Sequence, residues 1–156
     1  MTDMHLTMSQ YLQNHASEIL AEARYAMARA HLKNYEKIGD EQTQQRLQAL
    51  YDLVTRCIRE RNLTPMRAQA KIIAHERFAA GFDLSEVQTA FNVLEEAVWM
   101  RLMKEIPPPH LAEALGLVST VLGAGKDNLA RTYVGLASRT HAPSLNMSDL
   151  FAGTEG

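Results

Sequence analysis

The sequence predicts an all-α domain, a bundle of about five to six helices. Between Gln10 and Ser138 the apolar residues recur at intervals of three and four, which places them on one face of each helix. No segment shows the strict alternation or the clustering of β-branched residues that is typical of strands. The five prolines, at positions 65, 107, 108, 109 and 143, all lie where we expect helix edges, connections or the tail.

The composition is typical of one globular domain. The chain has 156 residues, and 46% of them are apolar, so it can bury a real core. A formal net charge of -2 gives no reason to expect a nucleic-acid partner or an anionic membrane surface. The single cysteine, Cys57, cannot form an internal disulfide, and neither a signal peptide nor an apolar span of about 20 residues is visible. We therefore expect a cytoplasmic protein.

Three helical regions are predicted in the first half of the chain. The first runs from about Ser9 to Ile38 and ends at Gly39. The second spans about Glu41 to Asn62. The third begins at Thr64-Pro65, a cap residue followed by proline at the first helical position.

The corner between the third and fourth helices is the most distinctive stretch, HERFAAGFDLSEVQTAF at 75–91. Gly81 is expected to end the third helix, because glycine tolerates the left-handed conformation that follows a last helical turn. Asp83 and Glu86 have the spacing of a capping box, in which each side chain bonds a free amide at a helix start. The fourth helix is therefore predicted from about Leu84 to Glu105.

The two C-terminal helices are more apolar than a single packed face requires. The fourth has a stripe at nearly coiled-coil spacing, and Trp99 and Met100 widen it. The last, from about His110 to Ala137, contains Gly123 and Gly125, which predict the close approach of another helix or a bend. We therefore predict a homodimer. Its predicted interface residues are Val87, Phe91, Leu94, Val98, Leu115, Val118, Leu122 and Gly125.

No motif of a metal enzyme is complete. His75-Glu76 begins like a zinc-protease motif, but residue 79 is alanine where a second histidine is needed. None of the six histidines has another four residues away, and one cysteine cannot build the common structural zinc cages. Glu95-Glu96 lacks the Glu-x-x-His partner motif of di-iron bundles. The sequence therefore predicts no metal site.

Catalytic motifs that need no metal are missing as well. No nucleophile elbow is present. The stretch LGAGKDN at 122–128 has two glycines and a lysine, but it lacks the spacing of a phosphate-binding loop and follows no strand. We therefore predict no catalytic residue and no enzyme activity.

A bound small molecule is the alternative. One histidine in an apolar helical pocket suffices as the proximal ligand of a haem, and His31, His75 and His110 are candidates. A weaker candidate is an apolar pocket formed by His75, Phe78, Phe82 and Trp99. Packing in the core or at an interface is the simpler interpretation of these aromatic residues.

The 75–99 stretch resembles the RsbRD N-terminal domain family, the N-terminal domains of RsbR-type stress-response co-antagonists. Members share a helix that ends in Arg and Gly-Phe, a Leu-Ser-Glu-Val restart, and a following aliphatic helix. The residues that carry the resemblance are Arg77, Gly81, Phe82, Leu84, Ser85, Glu86, Val87, Leu94, Glu96, Ala97 and Trp99. Weaker similarity extends upstream to residues 15–20 and Tyr51, and downstream to 128–130.

The resemblance implies a globin-like fold that generally carries no haem, a dimer formed by the last long helices, and a sensory or regulatory role. On this basis residues 1–138 are expected to form the regulatory domain and 139–156 a flexible tail. The expected partner is a regulatory protein, a kinase or a component of an anti-sigma pathway. In the family a STAS domain recruits a switch kinase, and these 156 residues contain none. We therefore expect partner switching to require more than this chain.

Overall fold

The computed structural model describes residues 3–141. They form six helices and, within that range, no strand, so the predicted all-α bundle is confirmed. The helices are α1 (Met4–Asn14), α2 (Ala16–Ala30), α3 (Lys33–Glu60), α4 (Thr64–Ala79), α5 (Leu84–Glu105) and α6 (Pro108–His141). The first three residues of the predicted tail continue α6, and the rest of that tail lies outside the described residues.

The N-terminal region, predicted as a helical region from about Ser9 to Ile38 with a fresh start near Ser17, is divided into more helices. It contains α1, α2 and the first turns of α3. His31 separates α2 from α3 in the left-handed conformation, with φ of 50°. Gly39, predicted to end a helical region, has non-helical backbone angles with φ of 86°, so α3 consists of two helical segments that meet at this residue. The chain turns there because glycine adopts positive φ without a steric penalty.

The core is built around α5 and α6. α6 packs on α4 and α5, α2 packs on α5 and α3, and α1 packs on α3. The Tyr51 hydroxyl, at the centre of α3, donates to the backbone carbonyl of Leu12 in α1. The largest fully buried side chains are Tyr51, Phe91, Met8, Leu12, Ile19, Leu20, Leu47, Ile58, Met66, Leu94, Leu102 and Leu122.

Gly125 lies where α6 passes closest to α4 and α5. A Cβ at this position would be 2.7 Å from Sδ of Met66 and 2.8 Å from Cε2 of Phe91. The predicted close approach is therefore confirmed at Gly125. It is wrong for Gly123, where a Cβ would have nothing within 4 Å.

The α4–α5 corner has the predicted construction. Gly81 has φ of 84°, and the Phe82 amide donates to the Arg77 carbonyl at 2.9 Å, which closes the end of α4. Asp83 and Glu86 form the capping box, with the Asp83 amide 3.0 Å from Oε1 of Glu86. The predicted start of α5 at Leu84 and its end at Glu105 are both confirmed.

Candidate functional site

One side of α5 exposes large apolar side chains. Trp99 is 43% exposed, Met100 50% and Met103 58%. At about 100° per residue, these three occupy adjoining positions on the helix surface. We call this set the α5 face. Contiguous exposed apolar surface on a globular protein often marks a site of interaction.

A cleft of about 600 Å³ adjoins the α5 face and separates it from α2. Met100 lines it from one side and Tyr25, 64% exposed, from the other. The Arg29 guanidinium lies 4.6 Å from the centre of the Tyr25 ring. The lining also includes Ala21, Ala26 and Ala97. Their short side chains make the wall apolar between the charged residues at the edges of the cleft. The alanine and methionine lining gives this groove an apolar floor.

A polar network fixes one end of this region. The Arg101 guanidinium pairs with Glu18 of α2 and with Glu105 of its own helix. The Tyr11 hydroxyl of α1 donates to Glu105, and that hydrogen bond is the main cause that holds the pKa of the Glu105 carboxyl below its ordinary value. Burial, and then Glu105, raise the pKa of Tyr11. These contacts join α1, α2 and the end of α5, so they keep α2 in place beside the α5 face.

The four residues of the predicted ligand pocket do not converge. His75 is exposed on α4, the Phe78 ring packs edge-on against Tyr133 at 5.7 Å, and Phe82 is buried. Trp99 belongs to the α5 face, about 22 Å along α5 from its start, at 1.5 Å per residue. His31 and His110, the other haem candidates, are also exposed.

The residues predicted for the dimer interface lie mostly inside the single chain. Their side chains are in the core because the α5 stripe packs against helices of its own chain. Leu115 is half-buried, and Gly125 is covered by Met66 and Phe91. A second subunit therefore does not reach most of this set in the described conformation. The predicted interface residues that are at most 2% exposed are Val87, Phe91, Leu94, Val98, Val118 and Leu122.

Two properties of residues 3–141 concern metals and membranes. No group of three or more His, Cys, Asp or Glu side chains is arranged to hold a metal ion in this range. No helix in it combines the length and the apolar character needed to cross a bilayer.

Comparison with known proteins identifies one family. Residues 14–140 match the model of the RsbT co-antagonist protein rsbRD N-terminal domain. No curated protein and no solved structure matches the chain significantly. The family match spans most of the chain, including the α4–α5 corner and the α5 face. The chain therefore belongs to the RsbRD N-terminal domain family.

Proposed function

We propose that the protein is a regulatory domain of stress-response signalling that acts as a homodimer through protein–protein contacts. Membership in the RsbRD N-terminal domain family supports a regulatory rather than a catalytic role. By its description the family is made of co-antagonists of RsbT, so a switch kinase or a related regulatory protein is the partner class we propose.

The observation that carries the dimer is the charge pattern around Met100. Glu96 and Lys104 lie four residues before and after it, on the same side of α5. Both are exposed, and neither forms an ion pair with another residue of the described range. Two copies of α5 that cross antiparallel about a twofold axis at Met100 would place each Glu96 opposite the partner's Lys104. A twofold interface requires such self-complementarity.

Charge reversal tests this arrangement. Light scattering and sedimentation at tens of micromolar should give a dimer for the unaltered protein. Glu96→Lys or Lys104→Glu should each weaken the dimer by about tenfold or more, because like charges then face each other across the twofold axis. The double variant carrying both changes should restore association. Glu113→Lys, an exposed change on α6, serves as the matched control.

The outcomes separate the parts of the proposal. A strict monomer at these concentrations contradicts the homodimer. A dimer that neither single reversal weakens places the interface elsewhere than the α5 face. Pull-down of a purified switch kinase by the unaltered protein and by Met103→Asp then tests whether the partner contacts the same face.

A further inference from the structure

Two arginines from different helices converge beside one aromatic ring. The Cζ atoms of Arg46 in α3 and Arg77 in α4 lie 5.3 and 6.0 Å from the centre of the Phe82 ring. Arg77 is only 9% exposed and Arg46 is half-buried. Tyr35 closes the inner side, with its ring 5.0 Å from that of Phe82. Two positive charges are thus held close together, one of them on a buried side chain.

The hydrogen-bonding capacity of these arginines is incompletely used. Nη1 of Arg77 donates to Glu76 at 3.2 Å, but its Nε is buried without a partner. Nη1 of Arg46 is also buried without a partner. Glu76 is largely exposed, and the buried Glu86 carboxylate already accepts from Asn34 and the Asp83 amide. A buried donor left unpaired costs about 1–3 kcal/mol, so a missing acceptor is indicated.

The two charges also act on each other. Burial, and then the positive charge of Arg77, lower the pKa of Arg46, and Tyr35 and Glu76 oppose this only in part. Burial raises the pKa of Tyr35, while the charge of Arg77, hydrogen bonding to Arg77 and the charge of Arg46 oppose that rise. The positive charge of Arg77 therefore affects the pKa of both Arg46 and Tyr35. An anion between the two arginines would replace repulsion by attraction.

The arginines stand at the inner end of an open cleft. This cleft, between α3 and α4, has a volume of about 440 Å³, and its walls include Leu50, Leu53 and Ile73. A further space of about 30 Å³ lies deeper, against Tyr35 and core side chains, and both arginines line it as well. A space of that size admits a group about as large as a water molecule.

We propose that the α3–α4 cleft binds a small organic acid, whose carboxylate lies between Arg46 and Arg77 and whose short apolar chain follows the leucine and isoleucine wall. The two unpaired donors, one on each arginine, match the two oxygens of a carboxylate. A more highly charged anion fits less well, because Asp52 and Glu76 also line the cleft. This site is independent of the homodimer proposed above.

Binding is tested with butyrate as the probe. Isothermal titration and thermal unfolding of the full chain are measured in sodium butyrate and in sodium chloride of equal concentration. Butyrate should bind saturably and raise the unfolding temperature, because a ligand that binds only the folded state stabilises it. Neutral butyramide should do neither. The Nε–H resonance of Arg77 should shift with butyrate concentration in an NMR titration.

Variants assign the binding to the arginine pair. Arg46→Gln should weaken butyrate binding by about tenfold or more, because one charge-assisted hydrogen bond is lost. Arg77→Gln should weaken butyrate binding to a similar extent. If the Arg77→Gln protein is unstable because position 77 is buried, Arg46→Gln alone still tests the site. Arg56→Gln is the control, since Arg56 lines the same cleft but pairs with Glu60 at 3.0 Å.

Three results would overturn the assignment. The first is an unfolding temperature that changes equally in butyrate and chloride. The second is binding that both arginine variants retain at full strength. The third is inorganic phosphate that binds more tightly than butyrate, because the site would then favour a higher charge over a carboxylate with an apolar chain.

Discussion

Glu86 at the start of α5 accepts two hydrogen bonds from Asn34 at the start of α3, from the backbone amide at 2.9 Å and from the side-chain amide at 2.6 Å. The Asn34 side chain also donates to the Gly81 carbonyl at 3.3 Å. One asparagine thus fixes the α4–α5 corner to a helix that is distant in sequence. Burial alone would raise the pKa of Glu86, but the hydrogen bonds from Asn34 and Asp83 hold it below its ordinary value.

Glu86→Gln should destabilise the protein by about 1.5–3 kcal/mol near neutral pH, because the amide offers one acceptor oxygen where three donors point. The pKa of Glu86 is lowered on folding, so its contribution is present above the unfolded pKa of about 4.3 and is lost as pH falls through the folded value. Urea unfolding of both proteins between neutral and acidic pH should show the difference shrinking. Glu113→Gln is the control, and a difference that stays constant with pH would contradict the explanation.

Gly125→Ala and Gly123→Ala should change stability in opposite directions. At 125 the added methyl meets Met66 and Phe91, both buried, and overpacking of this kind costs about 1–3 kcal/mol. At 123 the methyl meets nothing, so the higher helix propensity of alanine should stabilise the protein by about 1 kcal/mol. Chemical denaturation measures both. Equal stabilities of the two variants would show that Met66 and Phe91 can move away from position 125 at little cost in free energy.

Leu122→Asp should unfold the protein rather than dissociate a dimer. Both Phe91 and Leu122 belong to the dimer interface predicted from the sequence, and at such an interface an aspartate would be expected to separate two subunits. Because both side chains are buried within one chain, the charge would be unpaired in the core. Phe91→Ala, a milder change, should cost about 3–5 kcal/mol. Far-UV circular dichroism together with sedimentation distinguishes the outcomes, and a folded Leu122→Asp monomer would restore the earlier interpretation.

His31→Gly should raise the unfolding temperature by about 2–4 °C. His31 ends α2 in the left-handed conformation, which costs a non-glycine residue about 1 kcal/mol or more. Its side chain is 79% exposed, and its ion pair with Glu36, at 3.7 Å, contributes little at the surface. Differential scanning calorimetry measures the change. An unfolding temperature that falls would show that His31 makes a contact worth more than the backbone strain.

Local signals predicted the second half of the fold well. The capping box at Asp83 and the prolines after Glu105 are short patterns with a direct physical meaning, so both ends of α5 were predicted from sequence. The region before Gly39 lacks such signals. Neither His15 nor His31 is a usual helix breaker, whereas Gly39 is one, and the predicted interruption at Gly39 is observed.

The sequence predicted the fold better than it predicted the dimer interface or the proposed ligand site. Periodicity shows that a face is covered, but not whether the cover comes from the same chain, which is why Phe91 and Leu122 were assigned to an interface. Trp99 and Met100 did stand out as apolar residues beyond the stripe. The meeting of Arg46 with Arg77 carries no sequence pattern, because the two helices bring them together only in the folded chain.

The close contact of Gly125 with Met66 and Phe91 fixes the position of α6 along its own axis. One helical turn in either direction lies Val121 or Leu129, and each would bring a branched side chain to the place where Met66 and Phe91 leave no room for a methyl group. A displacement of about 5.4 Å along the helix axis is therefore blocked both ways. We therefore expect α6 to move relative to α4 and α5 by rotation or bending about Gly125 rather than by sliding along its axis.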